Sequence, residues 1–153
     1  MLRWFNKFEK LTEDGKVVDT IDSLDVIYAF FQNCYHLKDW VKSDSSIPKE
    51  LREGVEQAIN DNDSMVVCDC LANGTKHKII EMHRRRKRIK SIVFRPTIAI
   101  TAVMDHPEKS KGRYVWNLIV NDQEEIGGID LARRCVGFWE AYLKDELSRT
   151  RVG

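Results

Sequence analysis

Two short polar clusters carry residue types suited to proton chemistry. His36-Leu37-Lys38-Asp39-Trp40 supplies an imidazole, a carboxylate and a cation, and Asn73-Gly74-Thr75-Lys76-His77 supplies an amide, a cation and a second imidazole. His36 and Asp39 are three positions apart and Asn73 and His77 four, so each pair shares a face if its segment is helical. Brought into one cleft, His36, Asp39, Asn73, Lys76 and His77 would offer a general base, a carboxylate to orient it and positive charge for an anion. The same patterns have a plainer reading. A polar strip is commonly the solvated face of a helix, and Asn, Gly, Lys and His commonly dress a helix's C-terminal end. Trp40 reads first as a core or interface aromatic, and second as a platform on which a base can stack.

A third feature is the run Arg84-Arg85-Arg86-Lys87-Arg88-Ile89-Lys90, six cations in seven positions. Such a run can hold RNA or DNA phosphates. Across the whole chain, however, 25 Lys and Arg nearly balance 24 Asp and Glu, and no aromatic interleaves the run. A solvated connection therefore fits it as well. The four cysteines, at 34, 68, 70 and 135, form no C-x-x-C pair. Cys34 and Cys135 fall in apolar segments where a thiol behaves as a small hydrophobe, and Cys68 and Cys70 would diverge by roughly 200° on a helix. They read as structural thiols. Neither they nor His36, His77 and His83 match a zinc-ligand spacing, so no metal or other cofactor is expected.

The segment Ala72-Asn73-Gly74-Thr75-Lys76-His77 resembles the hallmark of the HEPN superfamily of helical proteins, many of them ribonucleases, in its asparagine and in the spacing to its histidine. The family's arginine would fall at Ala72, where the chain departs from the pattern. The chain also resembles bacterial proteins that pair an H-L-x-D-W segment with an N-G-x-K-H segment, the two together covering part of residues 22–80. What the HEPN resemblance implies is metal-independent RNA cleavage. His77 or His36 would help a ribose 2′-hydroxyl attack the adjacent phosphate, with Asn73 and Asp39 in the same site. Lys76, Lys38 or the stretch Arg84, Arg85, Arg86 and Arg88 would supply the cation, and Trp40 a contact to the bound strand. Lysine's point charge does not replace arginine's planar fork at a phosphate, so the loss at 72 implies altered or lost catalysis. RNA is the partner this resemblance implies.

The elements that must position these residues follow from periodicity. Leu2, Trp4, Phe5, Phe8 and Leu11 mark a short helix. Asp22-Ser23 supplies an N-cap for a long helix over 24–42, whose stripe is Ile27, Phe30, Cys34, Leu37 and Val41 and whose narrow polar strip is Asp25, Gln32, His36 and Asp39. Pro48 opens a helix to about residue 59, and Asn60-Asp61-Asn62-Asp63 is turn chemistry with a cap for another from Ser64. From Ile89 the period changes. Residues 97–103 are rich in β-branched types, with Pro96 expected at the strand's start, and 114–120 alternate with Tyr114, Trp116, Leu118 and Val120 on one face. A polar loop over 105–112 joins them. After Gly127-Gly128, Asp130 caps a closing helix with Ala132, Cys135, Val136, Trp139, Tyr142 and Leu143 on its apolar face.

The reading is therefore a mainly α (α+β) protein: a bundle of four to five helices, a β-hairpin over about 91–121, and a closing helix over about 130–148. With 153 residues, 42% of them hydrophobic, one domain over 1–153 is expected. No run of about 18 apolar residues crosses a membrane, and the N-terminal residues lack a signal peptide's pattern, so a cytoplasmic location is expected. The non-enzymatic alternative is an interaction module that forms a homodimer, because Trp4, Phe5, Trp40 and Trp139 exceed what one small core needs.

Overall fold

A computed structural model describes residues 1–13, 20–74, 92–101, 111–120 and 124–149. Lys76, His77, the basic run from Arg84 to Lys90 and most of the 105–112 loop lie outside the described residues. Among them the elements are α1 (Leu2–Leu11), α2 (Thr20–Ser43), α3 (Lys49–Asn60), α4 (Asp63–Gly74), β1 (Ile92–Thr101), β2 (Lys111–Val120), β3 (Glu124–Gly127) and α5 (Gly128–Arg149). The fold is a helical bundle with a small antiparallel sheet placed before its last helix, in the class the periodicity predicts.

Each helix forms where its apolar stripe can be buried. α3 buries Leu51, Val55 and Ile59 at four-residue steps. α1 buries Phe8 and Leu11, with Trp4 and Phe5 half-covered. α2 packs against α1, α3, α4 and α5 through Ile27, Phe30, Phe31, Cys34 and Val41, which makes it the axis of the bundle. Rings from α1 and α2 interlock there, with Phe30 and Phe31 edge-on at 5.0 Å and Phe8 against both. On α4 every residue from Val67 to Ala72 is buried, as befits a helix covered on most of its circumference.

Local chemistry sets the ends. Asn62 caps α4, its side-chain oxygen accepting the Met65 N–H at 3.0 Å and its carbonyl the Val66 N–H at 3.0 Å. Asp44 closes the α2–α3 turn by accepting from the backbone and hydroxyl of Ser46. α2 begins at Thr20, ahead of the expected cap, so Asp22 lies in the first turn, where a negative charge faces the helix's unpaired N–H groups. Pro48 stands just before α3 as its N-cap instead of inside it.

The sheet has order β1-β2-β3 with both pairings antiparallel. The expected hairpin is present, and β3 extends it to three strands. Pro96 sits in the middle of β1 opposite Trp116, not at its start. β1 is an edge strand, where the missing N–H can face away from the ladder. Trp116, Leu118 and Val120 alternate onto the buried face of β2, which packs on α5. β3 passes into α5 with no intervening loop: the strand ends at Gly127 and the helix starts at Gly128, ahead of Asp130. Gly128 permits this junction, because a β-carbon there would stand 2.7 Å from the Trp116 carbonyl oxygen and 3.2 Å from the Phe8 ring.

Candidate functional site

The first candidate surface is the C-terminal third of α2. His36 Nδ1 lies 3.1 Å from Asp39 Oδ2, and Lys38 Nζ donates to Asp39 Oδ1 at 3.1 Å. The pair is open to solvent, with the Asp39 side chain 56% exposed. Burial raises the Asp39 carboxyl, but the hydrogen bonds from His36 and Lys38 and their charges outweigh it and hold the group below its ordinary range. Trp40 is 74% exposed, which removes the core reading. Trp139 is buried, and Trp4 and Phe5 pack against the core, so Trp40 alone of the four aromatics stands clear of it.

Beyond Lys38 the surface continues onto α3. Lys42 Nζ donates to Glu56 Oε1 at 2.7 Å, a bond that lowers the Glu56 carboxyl and raises the Lys42 ammonium. Lys42, Lys49, Arg52, Glu53 and Glu56 line an open cleft of about 380 Å³. Arg52 Nε is buried with no hydrogen-bond partner among the described residues. This cation was not among the residues the sequence singled out, since the burial of its Nε is a property of the α2–α3 packing.

Asn73 lies on the last turn of α4, half-buried, where its amide donates to the side chain and the backbone carbonyl of Asp69 one turn earlier. Asp69 is itself buried. Asn73 therefore has its bonds inside α4, and His36 has its own inside α2. The remaining members of the expected constellation, Lys76, His77, Arg84, Arg85, Arg86 and Arg88, belong to the segment outside the described residues.

The second candidate lies in the core and was not visible from spacing. Cys34 of α2, Cys68 of α4 and Cys135 of α5 bring their three sulfur atoms within 4.8 Å of one another, all buried. Cys68 Sγ also approaches the carbonyl oxygen of Phe31 at 3.5 Å, and Cys135 Sγ that of Ser64 at 3.6 Å. Cys34 is held well below the usual thiol range, first by the Cys135 thiol and then by that of Cys68, against the effect of burial. Cys68 is pushed well above that range, chiefly by burial, and Cys135 likewise, chiefly by its hydrogen bond with Cys34. One negative charge on the trio thus opposes a second. Cys70 is also buried but is not in the cluster, as the divergence of positions 68 and 70 requires.

Comparison of the chain with protein-family models, with curated proteins and with solved structures finds no match.

Proposed function

We propose that this chain is an RNA-binding helical protein of HEPN-like character whose catalysis is altered or lost, with the C-terminal third of α2 as part of its binding surface. The observation that carries the reading is Trp40, 74% exposed, one helical turn from His36 and next in sequence to Asp39. Leaving an indole in water forgoes the stabilisation that its burial would bring, and an exposed ring is a platform on which any nucleobase can stack. Lys42, Lys49 and Arg52 of the α2–α3 cleft add positive charge beside that surface, offset in part by Glu53 and Glu56, which pair with the two lysines. Lys76, Lys38 and the run Arg84, Arg85, Arg86 and Arg88 add charge for the backbone. His77, with His36, is the base of any cleavage that survives, and Ala72 is the reason to expect it to be weak.

The test is a titration of labelled single-stranded and structured RNA at several salt concentrations. Binding should weaken steeply with salt, and Trp40→Ala should reduce affinity by about 5- to 100-fold, the range of one stacked base. Parallel incubation of wild type and His77→Ala shows whether RNA is cut and whether His77 takes part. Absence of salt-dependent binding would end the reading. A second reading, an assembly module, is favoured by the exposure of Leu2 and Ile21 as well as Trp40. In that case Trp40→Ala would shift the oligomeric state and leave RNA untouched.

A further inference from the structure

We infer that Cys34, Cys68 and Cys135 form a closed three-thiolate site for a soft d¹⁰ metal ion, a structural pin joining α2, α4 and α5 in the centre of the bundle. The geometry is the first argument. An ion bonded to three sulfurs at about 2.3 Å spaces them about 4.0 Å apart if planar, or about 3.8 Å apart as three corners of a tetrahedron. The three sulfurs here already lie within 4.8 Å of one another, so side-chain adjustments of a fraction of an ångström complete the site. The trio is drawn from three separate helices, and all three residues are wholly buried. Closure on every side is the habit of structural metal sites, whereas catalytic ones keep a position open to water.

The donor set selects the ion. Thiolates favour Cu⁺ and Zn²⁺ over harder cations. Zn²⁺ is almost always four-coordinate in structural sites, and no fourth sulfur, imidazole or carboxylate joins the cluster among the described residues. Three sulfurs alone satisfy Cu⁺, so Cu⁺ fits the triangle better. Binding involves no change of oxidation state: the copper is supplied already as Cu⁺, each metal–sulfur bond forms as a thiol proton leaves for solvent, and the ion's positive charge offsets part of the repulsion that holds the empty trio to a single thiolate, leaving two net negative charges with Cu⁺ and one with Zn²⁺. The lost S–H donors release the carbonyls of Phe31 and Ser64, which remain within their helices' own ladders. A buried site of this kind binds with folding, since the ligands are scattered along the unfolded chain.

The chain is refolded under anaerobic, reducing conditions with Cu⁺, with Zn²⁺ or with a chelator, then desalted and measured by native mass spectrometry and thermal unfolding. One ion per chain, a raised unfolding midpoint and an X-ray absorption shell of three sulfurs are expected. Cys70→Ala should retain the ion as wild type does, while Cys34→Ala, Cys68→Ala and Cys135→Ala should each weaken retention by about a hundredfold or more. Should those variants fail to fold, the sulfur count on the wild type decides alone. Either ion held by the three sulfurs supports the site, and the comparison of Cu⁺ with Zn²⁺ says which it takes. Wild type that retains neither ion, or holds one through nitrogen or oxygen donors, overturns it.

Discussion

The indole Nε1 of Trp139 donates a 3.0 Å hydrogen bond to the backbone carbonyl of Cys34. The bond ties α5 to α2 one helical turn along from Cys135, which itself touches Cys34 through sulfur. A second bond from the same helix, Tyr142 Oη to the Leu51 carbonyl at 2.8 Å, ties α5 to the first turn of α3. The closing helix is thus fixed at two heights by polar groups that reach otherwise apolar surfaces. Trp116, on β2, is the contrasting case, also buried but with an Nε1 that has no hydrogen-bond partner among the described residues.

That contrast predicts unequal costs for one substitution at two sites. Trp139→Phe removes a satisfied buried donor and should cost roughly 1–2 kcal/mol beyond its loss of ring contacts. Trp116→Phe removes an unsatisfied donor, so the desolvation penalty it relieves offsets much of the lost contact area. Urea midpoints with unchanged slopes measure both. Equal destabilisation would mean that the Trp139 bond contributes nothing to the docking of α5.

Gly128 and Gly137 predict opposite signs for glycine to alanine within α5. At Gly128 the added carbon meets the Trp116 carbonyl oxygen at 2.7 Å, backbone that cannot swing away, so about 1–3 kcal/mol of stability should be lost. At Gly137, exposed on the same helix, the carbon meets nothing within 4 Å. There the gain in helix propensity should stabilise by about 0.5–1 kcal/mol. Thermal unfolding of the two variants side by side tests the sign.

Those differences show where the sequence is legible and where it is not. Helices whose stripes are written in one segment could be read directly: Leu51, Val55 and Ile59 mark α3, and Trp116, Leu118 and Val120 mark the inner face of β2. β3 could not, because Glu124-Glu125-Ile126-Gly127 has one apolar residue and owes its pairing to the β2 register, in which Ile126 lies opposite Leu118. Pro96 misled because its tolerance within a strand depends on that strand lying at an edge, a fact of sheet order. His36 with Asp39 was readable from a three-residue step. The thiol trio was not, since its members are far apart in sequence and meet through the packing of three helices.

The Asp39 carboxyl predicts a small acid-limb effect. Its folded-state pKa is depressed relative to the unfolded value of about 3.9, so its contribution is fully present above that value and is lost as pH falls through the folded one. Asp39→Asn should leave stability near neutral pH within about 0.5 kcal/mol, because the side chain is more than half exposed and screened. It should also flatten the decline of stability below about pH 4. Glu56 and Asp44 are depressed too, the first chiefly by Lys42 and the second by the Ser46 hydroxyl and amide, so some slope will remain. Urea unfolding at stepped pH is the measurement. A steeper decline in Asp39→Asn would reverse the sign.

Trp40 predicts a separation of stability from binding. An indole 74% exposed has little contact area to lose, and alanine is the better helix former, so Trp40→Ala should change folding stability by no more than about 0.5 kcal/mol in either direction. Its nearest sequence neighbour in the core, Val41, gives the opposite result: it is buried, and Val41→Ala should cost about 1–3 kcal/mol. If both variants are folded at the assay temperature, loss of RNA affinity only in Trp40→Ala locates the effect at the surface ring. Equal loss in both would trace it to the stability of α2, and the exposed indole would then need another explanation.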